Sequence, residues 1–444
     1  MSTDNNDRRE ARKRRRVRNQ VICYIILILI IAMLAVAAYF GIKQFIKLVS
    51  KSGEAPSVTA SQNEAESVSE AAIISTPDME EIVSENVVAD VSENVVENAA
   101  ARAYIDSMTT EQKVAAVFMV TPESITGVNT VTQAGEGTRS ALADYGVCGI
   151  LYSSKNVSDE TQFKDMISTT RGMYSEVYGA PLWIAVEENG TVNTIAGRVA
   201  GEESTMTPGD IGLQENGAGA AGEAYSTIGN RLNSYDVDMN LALNCSLTVS
   251  ENGFLGNETY SDDPDMVASM VRNSVENQNA AGVITCIGAF PGEGYASVNP
   301  AEGVSTIDRS LEDMRNNEFV PFVAGMDAGA EIVIMSNAMA PEVSGEAVPC
   351  SLSSKVINDT LRHELGFEGI VITGRLDDKS ITGQYTAGES AVMALNAGAD
   401  ILLCPADFEG AYNGVLEAVN TGTVNEERLD DALMHIYSLK FAKQ

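Results

Sequence analysis

The most informative stretch for chemistry is GFEGIVITGRLDDKS, residues 366–380. Its pattern predicts a helix end, a short buried strand and then a loop. Strand ends of this kind often carry a carboxylate that acts as a nucleophile or as a general acid or base. Here Gly374 and Arg375 follow the strand. Asp377 and Asp378 come next and are candidate catalytic residues, although a solvated loop surface is the favoured interpretation for both.

The elements that would position this loop are predicted by an alternation of short apolar runs with helical patterns over residues 101–444. The predicted strands are Val117–Val120, Gly149–Tyr152, Leu182–Val186, Met239–Leu243, Val283–Ile287, Ile332–Ser336, Ile370–Thr373 and Ile401–Leu403. Short strands that are each followed by a helix favour an α/β fold of the TIM-type (β/α)8 barrel class. A doubly wound open sheet is the alternative, which the lack of a glycine-rich loop after the first strand makes less favourable.

Local signals support this division into elements. Thr109 and Gln112 have the spacing of a helix capping box. The segments DPDMVASMVRNSVENQN and SSKVINDTLRHELG have the periodicity of amphipathic helices. Trp183 lies within a predicted strand among apolar neighbours, so we expect it in the core and not on a surface where its ring could stack against a ligand.

The N-terminal 100 residues have a different character. Residues 1–20 carry eight Lys and Arg residues, and residues 21–42 form an uncharged apolar run that is long enough to span a bilayer as a helix. This pattern predicts a single-pass anchor with a cytoplasmic N-terminus and an extracytoplasmic remainder, and a cleaved signal peptide is the alternative. Residues 43–100, with VSENVV at 83–88 and 91–96, are predicted to be an acidic flexible stalk.

Charge and cysteine content limit the partners. The net charge is −33, with the basic residues concentrated at the N-terminus, which argues against nucleic acid and against membrane contact other than through the anchor. Cys148, Cys245, Cys286, Cys350 and Cys404 have no paired spacing, so we expect buried free thiols and no metal site of the CxxC kind. The loop GEGYASVNPAEG lacks a phosphate-binding lysine, and no cofactor is predicted.

Several segments together resemble the N-terminal barrel of family 3 glycoside hydrolases, in particular the β-N-acetylhexosaminidase branch. The segments that carry the resemblance are MTTEQKVAAVFMV, GVCGILYSSKNV, PLWIAVEENG, GNETYSDDPDMV, FPGEG, LRHELGFEGIVITGRL, ALNAGADILLCP and ERLDDALMHIYSLK, in family order over about residues 103–442. The resemblance implies a (β/α)8 barrel and hydrolysis of glycosidic bonds.

The same resemblance implies that the catalytic groups have been replaced. The family nucleophile is the first Asp of V-I-S-D-D-L, and that position is Gly374, with Arg375 at the second Asp. The family's acid/base His belongs to a D-S-H loop, and the corresponding region of this chain contains no His. His363 and His435 fall in helical patterns, so we expect them to be structural or surface residues.

The positions that bind sugar in the family are changed as well. Gly288 and Ala289 replace the K-H pair of K-H-F-P-G-H-G, and Glu293 replaces its second His. Glu258 replaces the Arg of G-D-R-S-F, and Glu187 replaces the Asp of A-V-D-Q-E-G. Glu187, Glu258 and Glu293 remain candidate substrate-binding residues. Glu293 is also a candidate acid, although a turn residue between glycines is the favoured interpretation.

Three functional hypotheses follow. The first is a membrane-anchored pseudo-glycosidase whose barrel binds cell-wall glycan or an envelope protein. The second is an active β-N-acetylhexosaminidase-type hydrolase of cell-wall or other GlcNAc-containing glycans, with relocated carboxylates. The third is a purely structural envelope protein with a collapsed pocket.

Overall fold

A computed structural model describes residues 99–190, 194–195, 205–249 and 254–443. The predicted basic segment 1–20, the anchor 21–42 and nearly all of the stalk 43–100 lie outside these residues. A helix over residues 99–106 includes the last two residues that were assigned to the stalk. Among the described residues, no helix combines the length and the apolar character that a membrane crossing requires.

The described strands form one parallel sheet. They are β1 Phe118–Val120, β2 Gly149–Leu151, β3 Trp183–Val186, β4 Met239–Asn244, β5 Ile284–Phe290, β6 Ile332–Met335, β7 Ile370–Ile372 and β8 Leu402–Leu403. Each strand pairs with its neighbour in sequence, and β8 pairs with β1. A parallel bridge between Ile372 and Ile401 brings β7 next to β8 and nearly closes the ring. The barrel prediction is therefore confirmed, because an open doubly wound sheet would reverse its strand order.

Helices surround the sheet and connect its strands. In chain order they are α1 (residues 99–106), α2 Thr110–Ala115, α3 Pro122–Thr126, α4 Glu136–Asp144, α5 Glu160–Tyr178, α6 Pro208–Gly212, α7 Gly217–Ser234, α8 Pro264–Ala280, α9 Leu311–Asn316, α10 Phe319–Asp327, α11 Pro341–Ser344, α12 Lys355–Glu364, α13 Lys379–Thr382, α14 Ala387–Ala397, α15 Phe408–Asn420 and α16 Glu426–Ala442. Short 3₁₀ turns lie at Ser154–Asn156, Gly256–Glu258 and Cys350–Leu352.

Several local predictions are confirmed. The Thr109 hydroxyl and the Gln112 side chain cap α2 reciprocally, as their spacing indicated. Trp183 is 3% exposed and belongs to the core, and the five described cysteines are buried free thiols.

The segment SSKVINDTLRHELG is helical but forms a π-helix, α12. The Thr360 hydroxyl donates to Lys355 O (3.1 Å), and Leu365 N donates to Thr360 O (3.0 Å). Both bonds reach back five residues, so side chain and backbone favour the wider turn. Val356, Ile357 and Leu361 still form a buried face, which confirms the amphipathic pattern.

Candidate active site

The position that corresponds to the family nucleophile is occupied by a neighbouring side chain. Gly374 follows β7, and a Cβ atom placed on it would lie 2.7–2.8 Å from the amide atoms of Asn337. The Asn337 amide donates to Arg375 O (2.6 Å) and to Asp378 Oδ2 (2.8 Å), and its oxygen accepts from Ser351 Oγ (2.6 Å). Three hydrogen bonds fix this amide. A carboxylate side chain at position 374 would therefore fit only if Asn337 moved.

Arg375 is neutralised within its own loop. Its Nε and a terminal nitrogen donate to the two carboxylate oxygens of Asp377 at 3.0 and 2.7 Å. This fork geometry holds both side chains in one place. Asp377 is exposed, as the sequence indicated, and is committed to Arg375. It is therefore the weaker of the two aspartate candidates.

Asp378 is turned partly inward, whereas the sequence favoured a solvated loop surface for it. Its carboxylate accepts from Asn337 and is only partly exposed at the start of α13. Burial raises the pKa of Asp378 above its ordinary value, and the negative charges of Asp377 and Glu187 act in the same direction. The loop turns inward because Asn337, at the end of β6, holds it there.

Glu293 is more than a turn residue between glycines. Its backbone N–H donates to Ser246 Oγ (2.9 Å), and Ser336 Oγ donates to its carboxyl oxygen Oε1 (2.6 Å). Burial raises the pKa of Glu293 to about 7; the Ser336 hydrogen bond opposes this shift, whereas the charges of Asp378 and Glu258 add to it. A carboxyl group with this pKa can donate a proton near neutral pH.

The loop that carries Glu293 is held to the barrel by a cationic contact. The Arg309 guanidinium lies 4.1 Å from the centre of the Tyr295 ring and 3.5 Å from a carboxylate oxygen of Glu318, whose side chain is fully buried. Cation–π stacking and the ion pair fix the two ends of the loop against α10. The position of Glu293 is therefore set by packing as well as by Ser336.

Glu187 and Glu258 complete an acidic group at the barrel mouth. Glu187 follows β3 and is exposed, and Glu258 ends the 3₁₀ turn Gly256–Glu258. Partial loss of hydration raises the pKa of Glu258, and the charge of Glu187 raises it further. The carboxyl groups of Glu187, Glu258, Glu293 and Asp378 thus influence one another at the C-terminal ends of the strands. We call these four residues the acidic mouth.

The acidic mouth was only partly visible in the sequence. Its four members were candidates, but Ser336 and Asn337 were not, although these consecutive residues position Glu293 and Asp378. The sequence feature that could have identified them is a pair of polar residues directly after an apolar strand. Sequence alone does not show which carboxylates such residues reach, since their partners lie 43 and 41 positions away.

Both histidines lie away from the mouth. His363 is exposed on α12, and His435 on α16 places Nδ1 3.1 Å from Asp400 Oδ1. Asp400 precedes β8, so this contact is at the opposite end of the barrel. Burial alone would raise the pKa of Asp400, but His435, Arg362 and Arg428 together hold it below its ordinary value. This network is structural, in agreement with the interpretation of His435 from the sequence.

Among the described residues, no group of three or more His, Cys, Asp or Glu side chains could hold a metal ion. The mouth contains a small cavity. The cavity measures about 20 Å³ and lies beside Glu293; its lining includes Leu247, Thr248, Phe254, Thr259 and Ala296. This volume admits one water-sized group.

This chain is similar to known proteins of one family. The profile described as "Glycosyl hydrolase family 3 N terminal domain" matches residues 88–439. Beta-hexosaminidase A of Pseudoalteromonas piscicida is 27% identical over 331 residues, 67% of this chain and 54% of the relative. The Beta-hexosaminidase of Xanthomonas campestris pv. campestris (strain B100) is 28% identical over 61% of this chain and 81% of its own length. The chain thus spans about half of the first relative and most of the second.

Solved structures agree with the fold. A glycoside hydrolase family 3 beta-N-acetylglucosaminidase from Paenibacillus sp. str. FPU-7 superposes with a TM-score of 0.70 at 27% identity, covering 76% of this chain and 63% of that one. The Beta-N-acetylhexosaminidase of Beutenbergia cavernae DSM 12333 gives 0.67 at 23% identity, covering 75% and 99%. The second likeness concerns the fold alone.

Proposed function

Because this chain belongs to the glycosyl hydrolase family 3 N-terminal domain family, we propose that it is a catalytically degenerate member whose barrel mouth binds glycan at the cell envelope. The observation that carries the proposal is the Asn337 amide in the space beside Gly374. A retaining glycosidase needs a carboxylate at the anomeric carbon and a second group at the leaving oxygen. The position for the first is filled, and Arg375 beside it is engaged by Asp377.

The ligand class follows from the relatives. Those compared above are named as β-hexosaminidases or as β-N-acetylglucosaminidases, so a glycan that contains hexosamine units is the expected partner. We further propose that residues 21–42 anchor the protein in the cell membrane and that the barrel lies outside the cytoplasm. Cell-wall glycan would then be accessible to the barrel mouth.

Hydrolysis and binding assays on the purified full-length chain test this proposal. We expect no turnover of an aryl β-N-acetylglucosaminide or of muropeptide fragments, together with measurable calorimetric binding of hexosamine oligosaccharides. A relative with an intact V-I-S-D-D-L motif serves as the positive control for turnover. If the chain binds no glycan, the proposal fails, and an envelope protein becomes the candidate partner.

An active hydrolase with relocated carboxylates is the second candidate, and the state of Glu293 favours it. Glu293 has a pKa of about 7. Asp378 accepts a hydrogen bond from Asn337, and its charge raises the pKa of Glu293. Two carboxyl groups whose environments differ in this way can act as acid and base. Turnover by the wild-type chain that both Glu293→Gln and Asp378→Asn abolish would establish this function. Persistence of that turnover in an Asp377→Asn variant would identify Asp378 as the aspartate involved.

A further inference from the structure

The loop after β5 contains a hairpin that crosses the end of β6. This hairpin comprises residues 296–307, and an antiparallel bridge joins its two ends. We call it the mouth hairpin. Met339, in the segment after β6, donates its N–H to Ser305 O (2.9 Å), and its carbonyl accepts from Ile307 N (2.7 Å). The mouth hairpin is therefore bonded to the segment that follows the neighbouring strand.

The tip of the mouth hairpin reaches the segment that follows β7. Pro300 O accepts a hydrogen bond from the backbone N–H of Ser380, on α13, at 3.0 Å. Ser336 and Asn337, which directly follow β6, are only 1% and 2% exposed. Side chains at the C-terminal ends of barrel strands ordinarily line an open mouth. The mouth hairpin thus covers the β6–β7 side of the mouth.

The inner face of the mouth hairpin has few large apolar side chains. This buried face contains Pro300, Ser305 and Ile307, whereas Val298 and Val304 are exposed. Such a face contributes little hydrophobic energy to the closed position. Segments with few buried apolar contacts can open locally without unfolding of the whole domain. The closed position of the mouth hairpin therefore depends on its polar contacts.

One of these polar contacts lies at the base of the mouth hairpin. The Arg309 guanidinium stacks on the Tyr295 ring and lies 3.5 Å from a carboxylate oxygen of Glu318. The Glu318 side chain is fully buried, and neither carboxylate oxygen has a hydrogen-bond partner among the described residues. We call Arg309 and Glu318 the latch. Loss of one partner would leave the other charge buried and uncompensated, which is strongly destabilising.

A point of rotation lies directly beside the latch. Gly292, between β5 and the mouth hairpin, has a φ of 111°, in the region that favours glycine. A Cβ atom placed on Gly292 would lie 3.3 Å from Cβ of Glu318. Hinges are commonly a few loop residues that absorb a change in backbone dihedral angles. Release of the latch would therefore act where the backbone can turn most easily.

We propose that the mouth hairpin is an autoinhibitory strap, which covers the β6–β7 side of the mouth when the Arg309–Glu318 latch is closed and turns away about Gly292 when it is released. Glycan binds the open state and shifts the population toward it. This consequence rests on the proposed glycan-binding function, whereas the opening of the hairpin can be measured without a ligand.

Hydrogen–deuterium exchange of the full-length chain measures the opening. Arg309→Met leaves Glu318 buried without its partner, so we expect amide exchange within residues 296–307 to become at least about tenfold faster, with the barrel strands unchanged. The control is Arg139→Met on α4, which removes an exposed ion pair with Glu176 and should leave exchange in the hairpin unchanged. Unaltered exchange in Arg309→Met, or equal acceleration throughout the barrel, would overturn the strap.

A reversible crosslink tests whether closure limits binding. Thr306 and Met339 are bridge partners, so the double variant Thr306→Cys/Met339→Cys has the backbone proximity that a disulfide needs to hold the hairpin closed. We expect the oxidised variant to bind hexosamine oligosaccharides at least about tenfold more weakly than the reduced variant in calorimetry. Arg309→Met should bind them more tightly than the wild type. The single variant Thr306→Cys, treated with the same oxidant, is the control.

The outcomes separate the strap from the function beneath it. Equal affinities of the oxidised and reduced double variant would overturn autoinhibition and leave glycan binding intact. Absence of glycan binding in every variant would overturn the proposed function and, with it, glycan as the ligand that the strap excludes. In that case the exchange measurement still decides whether the latch controls opening of the mouth hairpin.

Discussion

At the scale of single residues, the mouth is organised by two consecutive side chains at the end of β6. Ser336 holds Glu293, and Asn337 holds Asp378 while filling the space beside Gly374. Gly374, at the position of the family nucleophile, thus lies beside a hydrogen-bond network that Asn337 organises. A carboxylate introduced at position 374 alone would meet the Asn337 amide and displace it from three partners.

This arrangement predicts that even a methyl group is harmful at position 374. We expect Gly374→Ala to lower the free energy of unfolding by about 1–3 kcal/mol, because the Asn337 amide has to move. Combining it with Asn337→Ser should recover part of the loss. Gly137→Ala is the control, since a Cβ atom there, on α4, meets nothing within 4 Å. Urea denaturation measures all three, and an unaltered Gly374→Ala variant would contradict the packing argument.

The raised pKa of Glu293 predicts that the free energy of unfolding decreases as the pH rises. Its folded pKa of about 7 lies above the ordinary value of 4.5, so between these values the folded state retains a proton that the unfolded state has lost. The stability that Glu293 contributes is complete below pH 4.5 and is lost as the pH rises to about 7. Glu293→Gln cannot titrate, and its free energy of unfolding should exceed that of the wild type by up to about 3 kcal/mol at pH 8.

Urea denaturation of both proteins at several pH values checks this prediction. Effects of other carboxylates cancel in the difference between variant and wild type. The difference should increase between pH 4.5 and 7 and stay constant above. A difference that does not change with pH would show that Glu293 titrates normally.

At the scale of elements, α16 is fixed to the N-terminal end of the barrel by polar contacts. Lys440 is 1% exposed, and its ammonium donates to Cys148 O (2.6 Å) and Pro181 O (2.8 Å) beside the Trp183 ring. Burial lowers the pKa of Lys440 to about 8. On the same helix, Arg428 reaches Asp400 at 2.9 Å. The Lys440 contacts hold the C-terminal end of α16 beside the starts of β2 and β3, and the Arg428 contact holds its N-terminal end beside the start of β8.

We expect Lys440→Met to lower the free energy of unfolding by about 1–3 kcal/mol, because it removes the donor from two buried carbonyl groups while nearly preserving volume. The control is Lys443→Met, three residues further along the chain. Lys443 is half-exposed and pairs with Glu331 at 3.2 Å, so its loss should cost less than about 1 kcal/mol. Equal effects in thermal or urea denaturation would mean that Lys440 does not hold the helix.

At the scale of the whole molecule, a barrel of the glycoside hydrolase family 3 class follows a long N-terminal segment with a basic start, an apolar run and an acidic stretch. The barrel has the fold of family 3 glycoside hydrolases, whereas the segment before it has the composition of an anchor followed by a stalk. Together they favour a protein that presents a glycan-binding mouth at the envelope.

Cell fractionation tests the anchor. We expect the full-length chain to sediment with membranes, to resist extraction by salt or alkaline carbonate and to dissolve in detergent, because the apolar run 21–42 is long enough to span a bilayer as a helix. A chain that lacks residues 1–51 should be soluble. Protease added to intact cells stripped of cell wall should degrade the barrel if it lies outside. A soluble, N-terminally shortened mature protein would instead indicate a cleaved signal peptide.

The sequence by itself determined the elements and the glycine at the position of the family nucleophile. Apolar runs such as Ile370–Ile372 and the cap at Thr109 are local patterns, so strands and helix starts could be predicted within a few residues. Gly374 lacks a side chain in any fold. The tertiary structure alone decided the rest of the mouth, because its contacts join distant positions. Ser336 and Glu293, or Asn337 and Asp378, meet only when the strands form a ring, and the pKa of Glu293 depends on burial that no local pattern encodes.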